Sequence, residues 1–187
     1  MEVTLPKLRQ AEILTDSIQV ETVADGAAEY VLAIDIGTTT VVAYLLDGNS
    51  GAVLSRASRI NPQTKFGADV ISRIQHVMDG RGAEVRSAIQ GALEELTLEA
   101  AAKAGIEPKQ IGVAAIVGNT AMHHLLLGID PKPLTVPPYM PNISEALELK
   151  PEGIVPIAEN GVVRMLPNIA GFVGADTVGC IVSTRFD

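Results

Sequence analysis

The residues with the clearest chemical potential are Asp35-Ile36-Gly37-Thr38-Thr39-Thr40. A carboxylate, a glycine and three hydroxyls fall within six positions at the end of an apolar run. Gly37 allows a tight turn and a close backbone approach. The hydroxyls of Thr38, Thr39 and Thr40, with successive backbone N–H groups, suit phosphate oxygens as in anion nests. Asp35 ends a stretch that reads as buried, so its charge needs a cation or hydrogen-bond donors. A hydrated Mg²⁺ beside a nucleotide's phosphates answers that need, with Asp35 as a metal ligand through water. The spacing is neither GxxxxGK[ST] nor GxGxxG. A plain hairpin turn with Thr in β positions is the competing reading of the six residues alone.

Other candidates lie further along. Asn119 and Thr120 follow an apolar strand and precede a helix, so their N–H groups suit phosphate; simple N-capping by Asn119 is the competing and favoured reading. Asp176 opens a small-residue helix after Gly174-Ala175, where the dipole favours a carboxylate. His123 and His124 are adjacent, about 100° apart on a helix, so packing or an interface suits them better than one shared metal. Asp69 and Arg73, four apart, predict a surface ion pair. Cys180, within an apolar helix, predicts a buried small hydrophobe.

The elements that must position these groups are legible. Residues 30–34, Tyr-Val-Leu-Ala-Ile, form a continuous apolar run, as in a strand buried on both faces. Residues 41–46 form a second strand after the Gly-Thr turn. Asp47-Gly48-Asn49-Ser50-Gly51 is a turn, and residues 52–59 alternate as a third strand. This predicts a three-stranded antiparallel meander. Val70, Ile71, Ile74, Val77 and Met78 have helical spacing, broken at Gly80-Arg81-Gly82. A longer helix follows over roughly 83–104, ended by Gly105. Residues 111–117 predict another buried strand, running into Gly118-Asn119-Thr120 and a short helix through Leu127. Five of the 11 prolines lie between Pro131 and Pro141, predicting a rigid extended loop. Short strands with Gly and Pro breaks are expected over 153–173. Residues 1–29 are polar, with one alternating stretch at 17–23 and a loop at Asp25-Gly26; they read as a linker or the end of a preceding small domain.

Composition narrows the function classes. The chain has 187 residues, 47% of them apolar and 3% aromatic, which predicts an aliphatic core of one or two small domains. No run approaches the ~18 apolar residues of a membrane span. The first 16 residues contain no apolar core of a secretory signal, so a cytoplasmic location is expected. A net charge of −8 argues against a nucleic-acid binder. One cysteine excludes an internal disulfide and an iron–sulfur cluster ligated by this chain alone.

The order of strand, Asp-x-Gly-Thr-Thr turn, strand, turn, strand and helix resembles the actin, sugar-kinase and Hsp70 ATPase superfamily. The resemblance is closest to the reductive activators of corrinoid enzymes. It is carried by Asp35 to Thr40, Ala57 to Gln63, Phe66 to Ile74, Val117 to Gly128, Val136 to Pro141 and Leu166 to Asp176. It implies an α/β fold: a ribonuclease-H-like lobe with a mixed sheet, the antiparallel meander and flanking helices. Residues 30–130 would form the first ATPase lobe, and 131–187 a Pro-rich connection and the truncated start of a second lobe.

The resemblance further implies a parent protein that uses ATP with Mg²⁺ to return Co(II) corrinoid to Co(I) for methyl transfer. Its partner would be a corrinoid protein or corrinoid/iron–sulfur methyltransferase. Electrons would pass through an iron–sulfur cluster carried elsewhere in that parent. Asp35 would orient Mg²⁺, Gly37 to Thr40 would hold phosphate, Asp69 and Arg73 would face the cleft, and Asp176 would be a general base or metal-water ligand. As a fragment the chain is expected to be inactive alone. A sugar or acid kinase of the same superfamily, and a non-catalytic lobe that docks partners or forms a homodimer, are the alternatives.

Overall fold

The computed structural model describes residues 28–184. The stretch at 17–23 and the loop at Asp25-Gly26 lie outside them. The first strand, β1 (Tyr30–Ile36), is central. It pairs antiparallel with β2 (Thr40–Asp47), which pairs antiparallel with β3 (Val53–Ile60). The predicted meander is therefore present. On its other side β1 pairs parallel with β4 (Ile111–Gly118). Two further strands complete the sheet, β5 (Leu147–Leu149) and β6 (Val162–Met165). β6 runs parallel to β4 and antiparallel to β5, giving one mixed six-stranded sheet in the order β3-β2-β1-β4-β6-β5.

The two-residue period of β1 divides its side chains between the faces. Leu32, Ile34 and Ile36 are buried on one face with Val41, Ala43 and Leu45 of β2. That face is covered by α2 (Gly82–Ala104), whose buried Val85, Ile89, Leu93, Leu96 and Ala100 recur every three or four residues. The preceding helix, α1 (Val70–His76), ends in the π-turn Val77–Arg81, where Gly80 takes φ 86°. The predicted break is thus a kink between two helices. α2 stops at Gly105, left-handed at φ 72°. The helix α3 (Thr120–Leu127) follows β4 directly.

The opposite face carries Asp35. Parallel register sets Asp35 beside Val117 of β4, so both side chains share this face. The last helix, α4 (Ala175–Thr184), packs here: a Cβ on Gly179 would lie 3.4 Å from Val117 Cγ1. Gly179 turns toward the sheet, and the next residue, Cys180, turns away and is exposed. The expectation of a buried cysteine is corrected: Ala175 and Val178 fill the inward face instead. The proline-rich stretch is not uniformly extended either, since Lys132–Thr135 forms a 3₁₀ turn that buries Leu134. β5 falls in a segment with no strand signal of its own; three residues on a sheet edge are too few to impose a period.

His123 and His124 are both buried in α3. His124 Nδ1 donates to the Thr120 carbonyl at 2.7 Å, and its Nε2 accepts from Asn142 N at 3.1 Å, which fixes a neutral tautomer. Burial holds its pKa down, partly offset by the Thr120 carbonyl and Asp130. Burial, with His124 beside it, pulls His123 from 6.5 down to about 4. Folding therefore favours neutral imidazoles. Stability is complete above pH 6.5 and is lost as pH falls, because the unfolded chain then binds protons that the fold excludes. We expect His123 to account for about 3 kcal/mol of lost stability on acidification toward pH 4. Urea unfolding across this range checks it, with the slope between pH 6.5 and 5 flattened in His123→Gln.

Candidate functional site

The site forms where β1 turns into β2 and β4 runs into α3. The β1–β2 turn closes through Gly37 N donating to Thr40 O at 3.0 Å. A Cβ on Gly37 would lie 2.7 Å from that oxygen, so glycine is required by contact. Three carbonyls follow in sequence, and each is tied from behind. Gly37 O accepts from Asn61 Nδ2 at 2.9 Å, Thr38 O from Arg73 Nη2 at 2.6 Å, and Thr39 O from Asn61 N at 2.8 Å. In a trans peptide the C=O and the following N–H point in opposite directions. Holding the Gly37 and Thr38 carbonyls inward therefore turns the Thr38 and Thr39 N–H groups outward. Neither N–H has a partner among the described residues.

Asn119 joins this turn to α3. Its Oδ1 caps the helix by accepting from Met122 N at 3.0 Å, and its Nδ2 donates to Thr38 Oγ1 at 3.1 Å. Asn119 is thus an N-cap that also touches the turn. Thr120 lies deeper. It is fully buried, its hydroxyl donates to Ala170 O at 2.7 Å, and Gly174 packs so closely that a Cβ there would lie 2.4 Å from Thr120 N. Thr39 and Thr40 are exposed.

α4 brings the second carboxylate. Asp176 is in its first turn and accepts from Thr177 N at 2.7 Å. The carboxylates of Asp35 and Asp176 lie within electrostatic range. Partial desolvation, and then the Asp176 charge, push the Asp35 carboxyl above its ordinary value. Two carboxylates that repel each other beside outward-facing N–H groups make a place for a cation together with an anion. No cluster of three or more His, Cys, Asp or Glu able to hold a metal occurs among the described residues.

Asn61 was not legible as a site residue, and Arg73 only through the family resemblance, which would have it face the cleft. Asn61 is fully buried and follows β3 before a Pro62–Phe66 3₁₀ turn, which it caps through Gln63 N. Asn-Pro at a strand end signals only a turn. The expected Asp69–Arg73 surface ion pair is corrected. Asp69 caps α1 by accepting from Ser72 N and Oγ at 2.8 and 2.9 Å, while Arg73 points the other way into the interior. A large groove of about 850 Å³ lies between α2 and residues 150–157, and none of the site residues lines it.

Residues 30–187 match the family described as the RACo middle region. The chain belongs to that family. It is 39% identical over 161 residues to the corrinoid activation enzyme RamQ of Eubacterium limosum, spanning 84% of this chain and 27% of that protein. Among solved structures it matches a reductive activator for corrinoid,iron–sulfur protein with a TM-score of 0.81 and 36% identity, over 85% of this chain and 26% of the other. This RACo middle region thus spans about a quarter of the length of either relative. The mixed α/β sheet and its helices are the fold it shares with the solved activator. No helix among the described residues is long and apolar enough to cross a membrane.

The repulsion between the two carboxylates gives a direct check. Asp176→Asn removes one of the two causes that raise Asp35, so the Asp35 carboxyl should titrate at lower pH in the variant. Side-chain ¹³C chemical shifts followed through a pH titration read this directly. An unmoved Asp35 would mean that desolvation alone sets its affinity for the proton.

Proposed function

We propose that this chain is the phosphate-holding lobe of an ATP-dependent reductive activator that returns Co(II) corrinoid protein to Co(I) for methyl transfer. The observation that carries the reading is the β1–β2 turn. Its carbonyls are all engaged from behind, its Thr38 and Thr39 N–H groups are free, and Asp35 and Asp176 converge beside it. Thr38, Thr39 and Thr40 would meet the phosphates of ATP or ADP, with Gly37 holding the turn closed. Asp35 and Asp176 would hold Mg²⁺ through water. Bound there, Mg²⁺ supplies charge neutralisation for phosphoryl chemistry. Asp176 would orient a water as base or metal-water ligand. Asn119, through Thr38, and Thr120, through Ala170, would keep α3 and the segment before α4 in register with the turn.

The lobe is of the ribonuclease-H-like kind found in the actin, Hsp70 and sugar-kinase ATPases. The sheet order, with an antiparallel meander on one edge and parallel β4 and β6 beyond β1, supports this assignment. Residues 30–130 would be the first ATPase lobe and 131–187 a Pro-rich connection and the start of a second lobe, with β5 and β6 of the connection joining the same sheet. The names of the relatives support a corrinoid protein or a corrinoid/iron–sulfur methyltransferase as partner. An iron–sulfur cluster would be carried elsewhere in a longer parent acting in the cytoplasm, and nucleic acid and membranes have no part in this function.

Calorimetric titration with Mg·ADP and Mg·ATP tests the reading. We expect micromolar binding by this chain, weakened at least about tenfold in Asp35→Ala, since a charge-assisted contact is lost. Binding that is equally tight in the variant, or transfer of phosphate from ATP to a sugar, would overturn the assignment.

A further inference from the structure

Arg73 is fully buried and heads the largest fully buried side chains of the described residues. Its guanidinium is spent on neutral acceptors: Nη2 on Thr38 O at 2.6 Å, Nε on Gly67 O at 3.0 Å and Nη1 on Met122 Sδ at 3.6 Å. No carboxylate lies within ion-pair distance of it among the described residues. Asp69, the acid that acts on it electrostatically, uses both oxygens to cap Ser72. A buried cation without an ion-pair partner is costly, and an apolar side chain of similar volume would avoid that cost. Arg73 therefore has to be explained by what it does for its neighbours.

Its neighbours are the turn and the stretch that leads into α1. Gly67 has φ 151°, and a Cβ there would lie 2.3 Å from Ser72 Cβ, so this glycine is fixed by contact and delivers its carbonyl to Arg73. Thr38 O is the oxygen whose inward direction turns the Thr39 N–H outward. The rigid planar fork of arginine spans Gly67 O and Thr38 O together, a geometry a lysine ammonium does not reproduce.

We propose that Arg73 is the positioning residue of this site: its buried guanidinium locks the Gly37–Thr40 turn with its N–H groups outward and supplies the fixed positive charge that an anion on the turn offsets. The inference rests on the phosphate reading above and adds the group that prepares the turn before any ligand arrives. An anion on the outer side of the turn adds to the counter-charge that, among the described residues, Asp69 supplies without an ion pair.

The experiment uses the wild-type chain, Arg73→Lys and Arg73→Met, with magnesium pyrophosphate and Mg·ADP as probes. Two readouts are taken: calorimetric affinity, and amide hydrogen exchange without ligand at Gly37 and Asn61, whose N–H groups donate to Thr40 O and Thr39 O. Arg73→Lys keeps the charge and loses the fork; affinity should fall about tenfold. Arg73→Met keeps the bulk and loses both; affinity should fall about a hundredfold. Exchange at Gly37 and Asn61 should quicken in both variants while core strand amides such as Leu45 hold. Circular dichroism reports folding, and if Arg73→Met does not fold, Arg73→Lys carries the test. Unchanged affinity in a folded variant, with the wild type binding, overturns the proposal. Absence of wild-type binding overturns the phosphate reading instead, and unchanged exchange then overturns the positioning role as well.

Discussion

Three consecutive carbonyl oxygens at the β1–β2 turn need donors, and the way they obtain them orders much of the molecule. A tight turn leaves such groups without sheet partners, and burying them unpaired is costly. Here Asn61 at the end of β3 and Arg73 in α1 both reach the turn from its buried side. The meander must therefore return β3 to the turn, and α1 must start close enough for Arg73 to enter. The 3₁₀ turn Pro62–Phe66 and the close approach at Gly67 are the short path that connects those two requirements.

The second constraint is register. Asp35 shares its face with Val117 because β1 and β4 run parallel without a shift at that point. A slip of one residue would send Asp35 into the aliphatic core beneath α2. The same register lines Gly118 up with Ile36, and a Cβ on Gly118 would lie 2.9 Å from Ile36 O. Close approach there puts Asn119 beside Thr38, and the packing of Gly174 on Asn119 and Thr120 sets the start of α4. The nearness of Asp35 and Asp176 is thus the end of a chain of backbone contacts, most of them made at glycines.

Much of this was legible in the sequence, and the reason lies in periodicity. β1 to β4, the break at Gly80 and the stop at Gly105 follow from apolar spacing and glycine punctuation, which are local signals. The Asp35–Thr40 turn and Asp176 are legible because carboxylate, glycine and hydroxyl types are unusual at strand and helix ends. What was not legible depends on long-range contact. Arg73 sits four residues after Asp69, a spacing that signals a surface pair. Only the packing of α1 against the turn draws it inward. Cys180 follows a helical residue on the sheet-facing side, and one step of about 100° decides its exposure. β5 is too short to carry a period and exists because β6 offers it an edge.

These features explain why the site is built from both faces of one sheet rather than from a cavity. Behind the turn lies the aliphatic side, where Arg73 and Asn61 are fully buried and donors are fixed by packing. In front lies the face that carries Asp35, where α4 covers β4 and leaves the carboxylates accessible. Rigid donors need the low-dielectric side to hold direction, whereas carboxylates that meet a hydrated ion need water. The end of the central strands, between a buried and an open face, supplies both at once. The thin turn at Gly37–Thr40 separates them by a single layer of peptide planes, and each plane passes the direction fixed on one side to the N–H presented on the other.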